Sequence, residues 1–345
     1  MMKKEPLITA IVTNFNGWEL GVLPDFFKAF LKNDYENFEL FFVDQASSDK
    51  SVENVKKHFG RDKRIKVIAN PVNNMSSGIN MALKRVKGKY ILFLNNDLYF
   101  DKGGIKKLVD FLEKDSNAAL VQGKIVSYYD NKILDDCGES IDIYGNPVTI
   151  GAKEADEGQY NEKREVLSVT GAASLFRSDL IKKIGCLDPD YGIGYEDLDL
   201  ALRSRIAGYK IYYTPDVVVY HRRAASTSSV SNELRTRLKY GFNKNRLATL
   251  IKNYEASTLL KSLPVVLIIY ILLGTFEMFY KGLWAFGWTR FKALGWMFSN
   301  LPILLRKRAG VQNIRVKSDA EAILPFMAKG QTLSGFTNFL KSKRW

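Results

Sequence analysis

Four short apolar runs, each closing on polar or acidic residues, constrain the fold of this chain more than any other feature. They are LITAIVT (7–13), FELFFVD (38–44), IKVIAN (65–70) and YILFLNND (90–97). Runs of this length, rich in β-branched and aromatic residues and bounded by turn chemistry, read as buried strands. Between the first two lies a stretch of helical spacing with Leu20, Leu23, Phe26, Phe27, Phe30 and Leu31 on one face, and further helices are expected around 51–59 and 76–86. Strands that alternate with helices need right-handed crossovers and predict an α/β fold with a mainly parallel sheet. Ligands of such sheets collect beyond the carboxyl ends of the strands. Those ends carry Asn14, Asp44 and Asp97.

The pattern continues with a helix at about 101–114 and a strand at 118–126. The polar stretch 127–165, with Gly138, Gly145, Pro147, Gly151 and Gly158, reads as an insertion rather than a core element. A strand, turn and helix (166–185), an acidic segment from Asp188 to Asp199 and strand-like runs ending at His221 complete a first unit, expected over residues 1–235. A chain of 345 residues suits two domains, and 236–345 forms the second.

Charge separates the two. The chain carries a net +14, which invites a nucleic-acid reading, yet residues 222–345 hold a net +16 and residues 1–221 a net −2. Leu263–Tyr280 is eighteen residues with one charge, Glu277, the lower limit for a bilayer span. Residues 281–304 then interleave Trp284, Trp288 and Trp296 with Lys281, Arg290 and Lys292, and Arg306-Lys307-Arg308 follow. Aromatic and basic residues beside an apolar run predict a basic, helical region with a membrane-associating segment at 263–304. Positive residues flank the run on both sides, which favours an in-plane or re-entrant segment over a span; a buried helix of a soluble second domain is the plainer alternative. Two cysteines, Cys137 and Cys186, exclude a disulfide framework. Met1-Met2-Lys3-Lys4-Glu5-Pro6 does not open a signal peptide, so the first unit is expected at the cytoplasmic face.

Three acidic sites stand out, each with a plainer reading. Asp97, after Asn95-Asn96, could hold a divalent cation at a strand end, or the triplet is turn chemistry. Asp44 could accept from a nucleobase, while Ser48 or Asp49 behind it caps the next helix. In Tyr195-Glu196-Asp197-Leu198-Asp199 a carboxylate at a helix start could act as general base, although acidic residues also belong there electrostatically. Asp197 and Asp199 lie about 200° apart on a helix and cannot share a target. His221, at another strand end, is a metal or phosphate contact or a structural histidine; His58, among lysines, reads as surface. No GxGxxG follows the first strand, and no GxxxxGK[ST], GxSxG or HExxH occurs.

Taken in order, TNFNG, VDQASSD, NPVNNMSSGIN, LFLNND, TGAASLFR, LDPDYGIGYEDLDLALRSRIAGYKI and VVVYH closely resemble the family 2 glycosyltransferases of the GT-A fold. The match is most like their rhamnosyltransferase-type branch and covers about residues 6–230. The resemblance implies an inverting transfer of a sugar from a nucleotide-diphosphate donor to a glycan or isoprenoid-lipid-linked acceptor, in cell-surface polysaccharide or glycoprotein glycan assembly. It assigns Asp197 as catalytic base, and Thr13, Asn14, Asn16, Asp44, Ser47, Asn73, Asn80, Asn95, Asn96, Gly171 and Glu196 to the nucleotide sugar. Asp97 and His221 are assigned to Mg²⁺ or Mn²⁺. The usual acidic motif is Asp-x-Asp, whereas position 95 is Asn, so Asp97 is its single carboxylate. The competing readings are a sugar nucleotidyltransferase, which needs a glycine-rich basic loop after the first strand, and a non-catalytic glycan-binding or scaffolding member. Nucleic-acid binding has no motif behind it.

Overall fold

The computed structural model describes residues 5–223 and 231–328. The parts of the two expected regions that fall on 1–4, 224–230 and 329–345 lie outside the described residues.

Strands β1 (Ile8–Asn14), β2 (Phe38–Gln45), β3 (Ile65–Asn70) and β4 (Tyr90–Asn95) form the parallel half of one large sheet, in the order β3-β2-β1-β4. Helices α1 (Val22–Leu31), α2 (Ser51–Phe59) and α3 (Met75–Leu83) make the crossovers. Successive side chains of a strand point to opposite faces, and β1 is buried on both. Ile8, Ala10 and Val12 pack with Leu23, Phe26 and Phe27 of α1, whereas Ile11 packs with Ile79 and Ala82 of α3. That two-sided burial is why these strands read as continuous apolar runs.

The sheet turns mixed beyond β4. After β5 (Leu98–Phe100), α4 (Gly104–Lys114) and β6 (Ala118–Ser127) come three short strands, β7 (Leu134–Asp136), β8 (Glu139–Ile141) and β9 (Pro147–Thr149), then β10 (Arg164–Glu165) and β11 (Ala173–Arg177). β11 inserts antiparallel between β4 and β6. Helices α5 (Ser178–Ile184) and α6 (Glu196–Ile206) lead to β12 (Lys210–His221), which runs parallel to β6 and, at its end, antiparallel to β5. The expectation that 127–165 is an insertion is corrected here. β7 and β10 join the main sheet, and Leu134, Asp135, Asp136, Cys137 and Ile141 are buried. Glycine turns hid these strands, which are two or three residues long.

The C-terminal helices are α7 (Asn232–Asn253), α8 (Ala256–Thr275), a π-helical turn (Phe276–Tyr280), α9 (Trp284–Ser299) and α10 (Leu301–Asn313). They share a core with α6. Tyr191, Tyr195, Leu198 and Leu202 pack with Leu247, Ile251, Tyr270 and Met297. Helices α8 and α9 cross closely at Gly274 and Gly287: a Cβ on Gly287 would lie 2.4 Å from the Gly274 carbonyl oxygen.

Candidate active site

The strand ends gather the predicted residues in three adjoining groups. In the first, register places Asn14 opposite Asp44. Asn14 donates to Asp44 Oδ1 (2.9 Å) and accepts from Asn96 Nδ2 (2.7 Å). Ser47 donates to Asp44 through both its backbone N–H (2.9 Å) and its hydroxyl (2.6 Å), and receives the Asn16 N–H. Gly17 is required beneath this network, because a Cβ there would lie 2.3 Å from Asn14 Oδ1 and 2.5 Å from Asn96 Nδ2. Asp44 is therefore buried and largely engaged, with Oδ2 holding a single donor among these bonds.

The second group lies where β5 meets β12. Their pairing sets His221 against Leu98, next to Asp97, and His221 Nε2 is 3.4 Å from Asp97 Oδ2. The other ring nitrogen, Nδ1, is bonded to Asp135, which also pairs with Arg223. Burial acts to lower the imidazole pKa, but Asp135 and Asp97 push it up to about 9. A histidine whose Nδ1 is fixed by a carboxylate presents Nε2 in one orientation, as a metal-ligating histidine does. A carboxylate oxygen and an imidazole nitrogen converging beyond the strand ends fit a divalent cation that takes its other ligands from phosphate oxygens. Asp135 was not foreseen; only the Asp135-Asp136 pair closing a short apolar run could have signalled it.

The third group lines a cavity of about 130 Å³, with Thr13, Asn95, Thr170, Gly171, Glu196 and Asp197 among its walls. Asn95 sits opposite Thr13 in the sheet, and its N–H bonds the Ala172 carbonyl at the start of β11. Asp197 is half-buried on the first turn of α6. Its Oδ1 accepts from Leu198 N–H (2.7 Å) and its Oδ2 from Gly171 N–H (3.1 Å). Burial raises its pKa and those two N–H groups oppose the rise. Glu196 beside it is buried, with Oε2 unbonded. Burial, then the charge of Asp197, pushes its carboxyl up to about 8. Adjacent acids with unequal surroundings divide the labour: one stays neutral while its neighbour ionises.

Asp199 is distinct from that pair. It is fully buried, bonded to Arg203 (2.9 Å) and 3.0 Å from Lys252, which hold it ionised against the effect of burial. Asn80 engages its whole amide with Leu187, donating to the carbonyl (2.7 Å) and accepting the N–H (3.0 Å). Asn73 is exposed, and His58 is exposed but stacked on Trp18.

The sheet is mainly parallel, takes in β11 antiparallel between β4 and β6, and has an acidic pair at the start of α6 beyond its strand ends, the arrangement of the GT-A glycosyltransferase fold. The chain belongs to the glycosyl transferase family 2, whose model matches residues 9–185. It is 27% identical over 221 residues to the O-antigen chain rhamnosyltransferase WbaN of Salmonella anatum, covering 63% of this chain and 66% of that one. The chain spans 28 to 46% of the length of three other curated relatives. Two solved structures share the fold. A mannosyltransferase from Pyrobaculum calidifontis in complex with GDP-Man and Mn²⁺ aligns with a TM-score of 0.54 and 16% identity, over 98% of this chain and 86% of that one. GalNAc-T7 with UDP, GalNAc and Mn²⁺ aligns with a TM-score of 0.59 and 14% identity, over 74% and 49%.

Proposed function

We propose that this glycosyltransferase moves a sugar from a nucleoside-diphosphate donor to a hydroxyl of a glycan or lipid-linked acceptor, with inversion, during assembly of cell-surface polysaccharide at the cytoplasmic face of the membrane. The observation that carries the reading is Asp197: a carboxylate held by two backbone N–H groups at the wall of a cavity that Thr13, Asn95 and Gly171 complete. The acceptor hydroxyl attacks the anomeric carbon in line as the nucleoside diphosphate departs, and Asp197 takes the proton. A single displacement inverts the anomeric centre. Glu196, neutral beside it, leaves the negative charge on Asp197 alone. Asp97 and His221 would hold Mg²⁺ or Mn²⁺, which supplies charge neutralisation at the departing diphosphate. The relatives favour a hexosyl or deoxyhexosyl donor, WbaN being a rhamnosyltransferase and the two solved structures holding GDP-Man or UDP with GalNAc. The loop after β1, Phe15 to Trp18, has no Lys or Arg, which does not suit a sugar nucleotidyltransferase.

Membrane association is supported by α8. Its buried positions are Thr258, Ser262, Val266, Tyr270 and Gly274, four residues apart, while Leu260, Val265, Ile268, Ile271 and Leu272 are exposed. The inward face mixes Thr258, Ser262 and Gly274 with Val266 and Tyr270, and the outward face is aliphatic. Next along the chain, Phe279, Tyr280, Trp284 and Trp288 are exposed as well. Ala256–Tyr280 is the one candidate span among the described residues, and 22% of its apolar window is buried. An apolar face of this size marks a partner or a membrane, and α8 lying in the interface suits the buried Glu277, Lys239 and Arg290 group at its end.

A panel of nucleotide sugars tests the reading. Hydrolysis or transfer of one donor, supported by Mg²⁺ or Mn²⁺ and stopped by EDTA, is expected. Binding of glycan with no donor turned over would instead support the scaffolding alternative.

A further inference from the structure

Taking Asp197 as the base, as proposed above, we infer that Asn245 of α7 is a positioning residue for it, so that the C-terminal helices complete the active site as well as carrying the apolar face. Asp197 is delivered by the turn Tyr191-Gly192-Ile193-Gly194 and by Tyr195. Tyr195 has φ +73°, a left-handed conformation rare for a bulky residue and kept only where its surroundings impose it.

The surroundings come from one face of α7. The fully buried Asn245 directs its Nδ2 at three carbonyls of the turn: Tyr191 (2.9 Å), Ile193 (3.1 Å) and Gly194 (2.7 Å). Its Oδ1 is buried without a partner. A side chain that leaves one polar atom unsatisfied is a poor choice for stability alone; what this position supplies is the N–H donors. One turn earlier, the Phe242 ring lies over Gly194, where a Cβ would come within 2.9 Å of it, and meets the Tyr195 ring edge-on at 5.9 Å. One turn later, Thr249 bonds the Tyr191 hydroxyl (2.8 Å). From α3, Ser76 N–H bonds the Gly192 carbonyl (3.1 Å), and beside α7 the Tyr195 hydroxyl donates to the Gly145 carbonyl (3.0 Å). The turn is thus clamped between α3 and α7, and the clamp fixes where α6 begins. A displacement of about 1 Å at a reacting group costs on the order of 10²-fold in rate.

The test uses the full chain with Asn245→Ala, Phe242→Ala and Asp197→Asn. Folding is checked by circular dichroism, nucleotide affinity by titration of UDP, GDP and dTDP with Mn²⁺, and turnover with whichever donor the wild type uses. Asn245→Ala is expected to lower kcat about 10²-fold while nucleotide affinity stays within about twofold, because the bonds that join Asn14, Asp44, Ser47 and Asn96 do not run through the turn. Phe242 is 43% exposed, so Phe242→Ala should fold; a smaller loss of kcat with unchanged nucleotide affinity is expected. Wild-type kcat in Asn245→Ala, or a loss shared equally by kcat and nucleotide affinity, would overturn the inference. If Asn245→Ala does not fold, wild-type kcat in Phe242→Ala overturns it. Asp197→Asn keeps the two levels apart. Turnover lost there but intact in Asn245→Ala defeats only the positioning role, whereas turnover retained in Asp197→Asn defeats the assignment of the base.

Discussion

Asp197 can take a proton only while ionised, and its burial makes ionisation harder than for an ordinary carboxyl. The acid limb of kcat/KM is therefore expected above the usual carboxylate range; a limb at or below that range would contradict the account. Glu196 has a separate consequence for stability. Its folded pKa of about 8 lies above the unfolded value near 4.5, so the native state binds a proton that the unfolded chain has released. Stability then falls as pH rises from about 4.5 towards 8. Glu196→Gln should flatten that slope in urea melts across the interval, and an unchanged slope would show that the carboxyl is not held neutral. The placement of Asp97, His221 and Asp197 was legible because each follows or ends an apolar run or opens a helix. Asp135 and Asn245 were not. One lies in a glycine-broken segment without periodicity, and the other on a helix whose packing partner is set by tertiary contacts.

Two short pairings assemble the Asp97, His221 and Asp135 group: β5 against the end of β12, and β7 against β6. The first brings His221 to Asp97, the second brings Asp135 to His221. A carboxylate that orients a ligating histidine contributes about 10–100-fold to metal affinity. Asp135→Asn should weaken Mn²⁺ binding by that order in calorimetric titrations with nucleoside diphosphate present; unchanged affinity would show that the His221 orientation does not depend on it. The parallel half of the sheet was readable from sequence, since strands buried on both faces leave long apolar runs. The antiparallel insertion of β11 was not, because a five-residue run has the same pattern in either direction. Helix α8 begins seven residues before the expected apolar segment, at Ala256, because Thr258 and Ser262 face inward and conceal the start.

Across the whole molecule, the basic excess has two uses. Lys252, Lys307 and Arg290 are paired with Asp188, Asp199, Asp190 and Glu277 inside the structure, whereas Lys261, Lys292 and Arg306 are exposed near the apolar face. Lys252 and Lys307 join the C-terminal helices to the acidic residues around the turn before α6, while Arg290 pairs within those helices; the exposed set suits anionic headgroups. Trp284→Ser with Trp288→Ser in the full chain should reduce co-sedimentation with anionic vesicles and leave turnover of a soluble acceptor near wild type. Undiminished vesicle binding would show that another surface carries the attachment. Truncation before α7 is not an equivalent test, because it also removes Asn245, Lys252 and Asn253 from the catalytic turn and α6. Proton acceptance by Asp197 during sugar transfer is tested by the transfer rate of Asp197→Asn at saturating donor, with nucleotide affinity measured in parallel. A rate lower by about 10²–10⁴-fold with affinity retained is predicted, and transfer at the wild-type rate would contradict it.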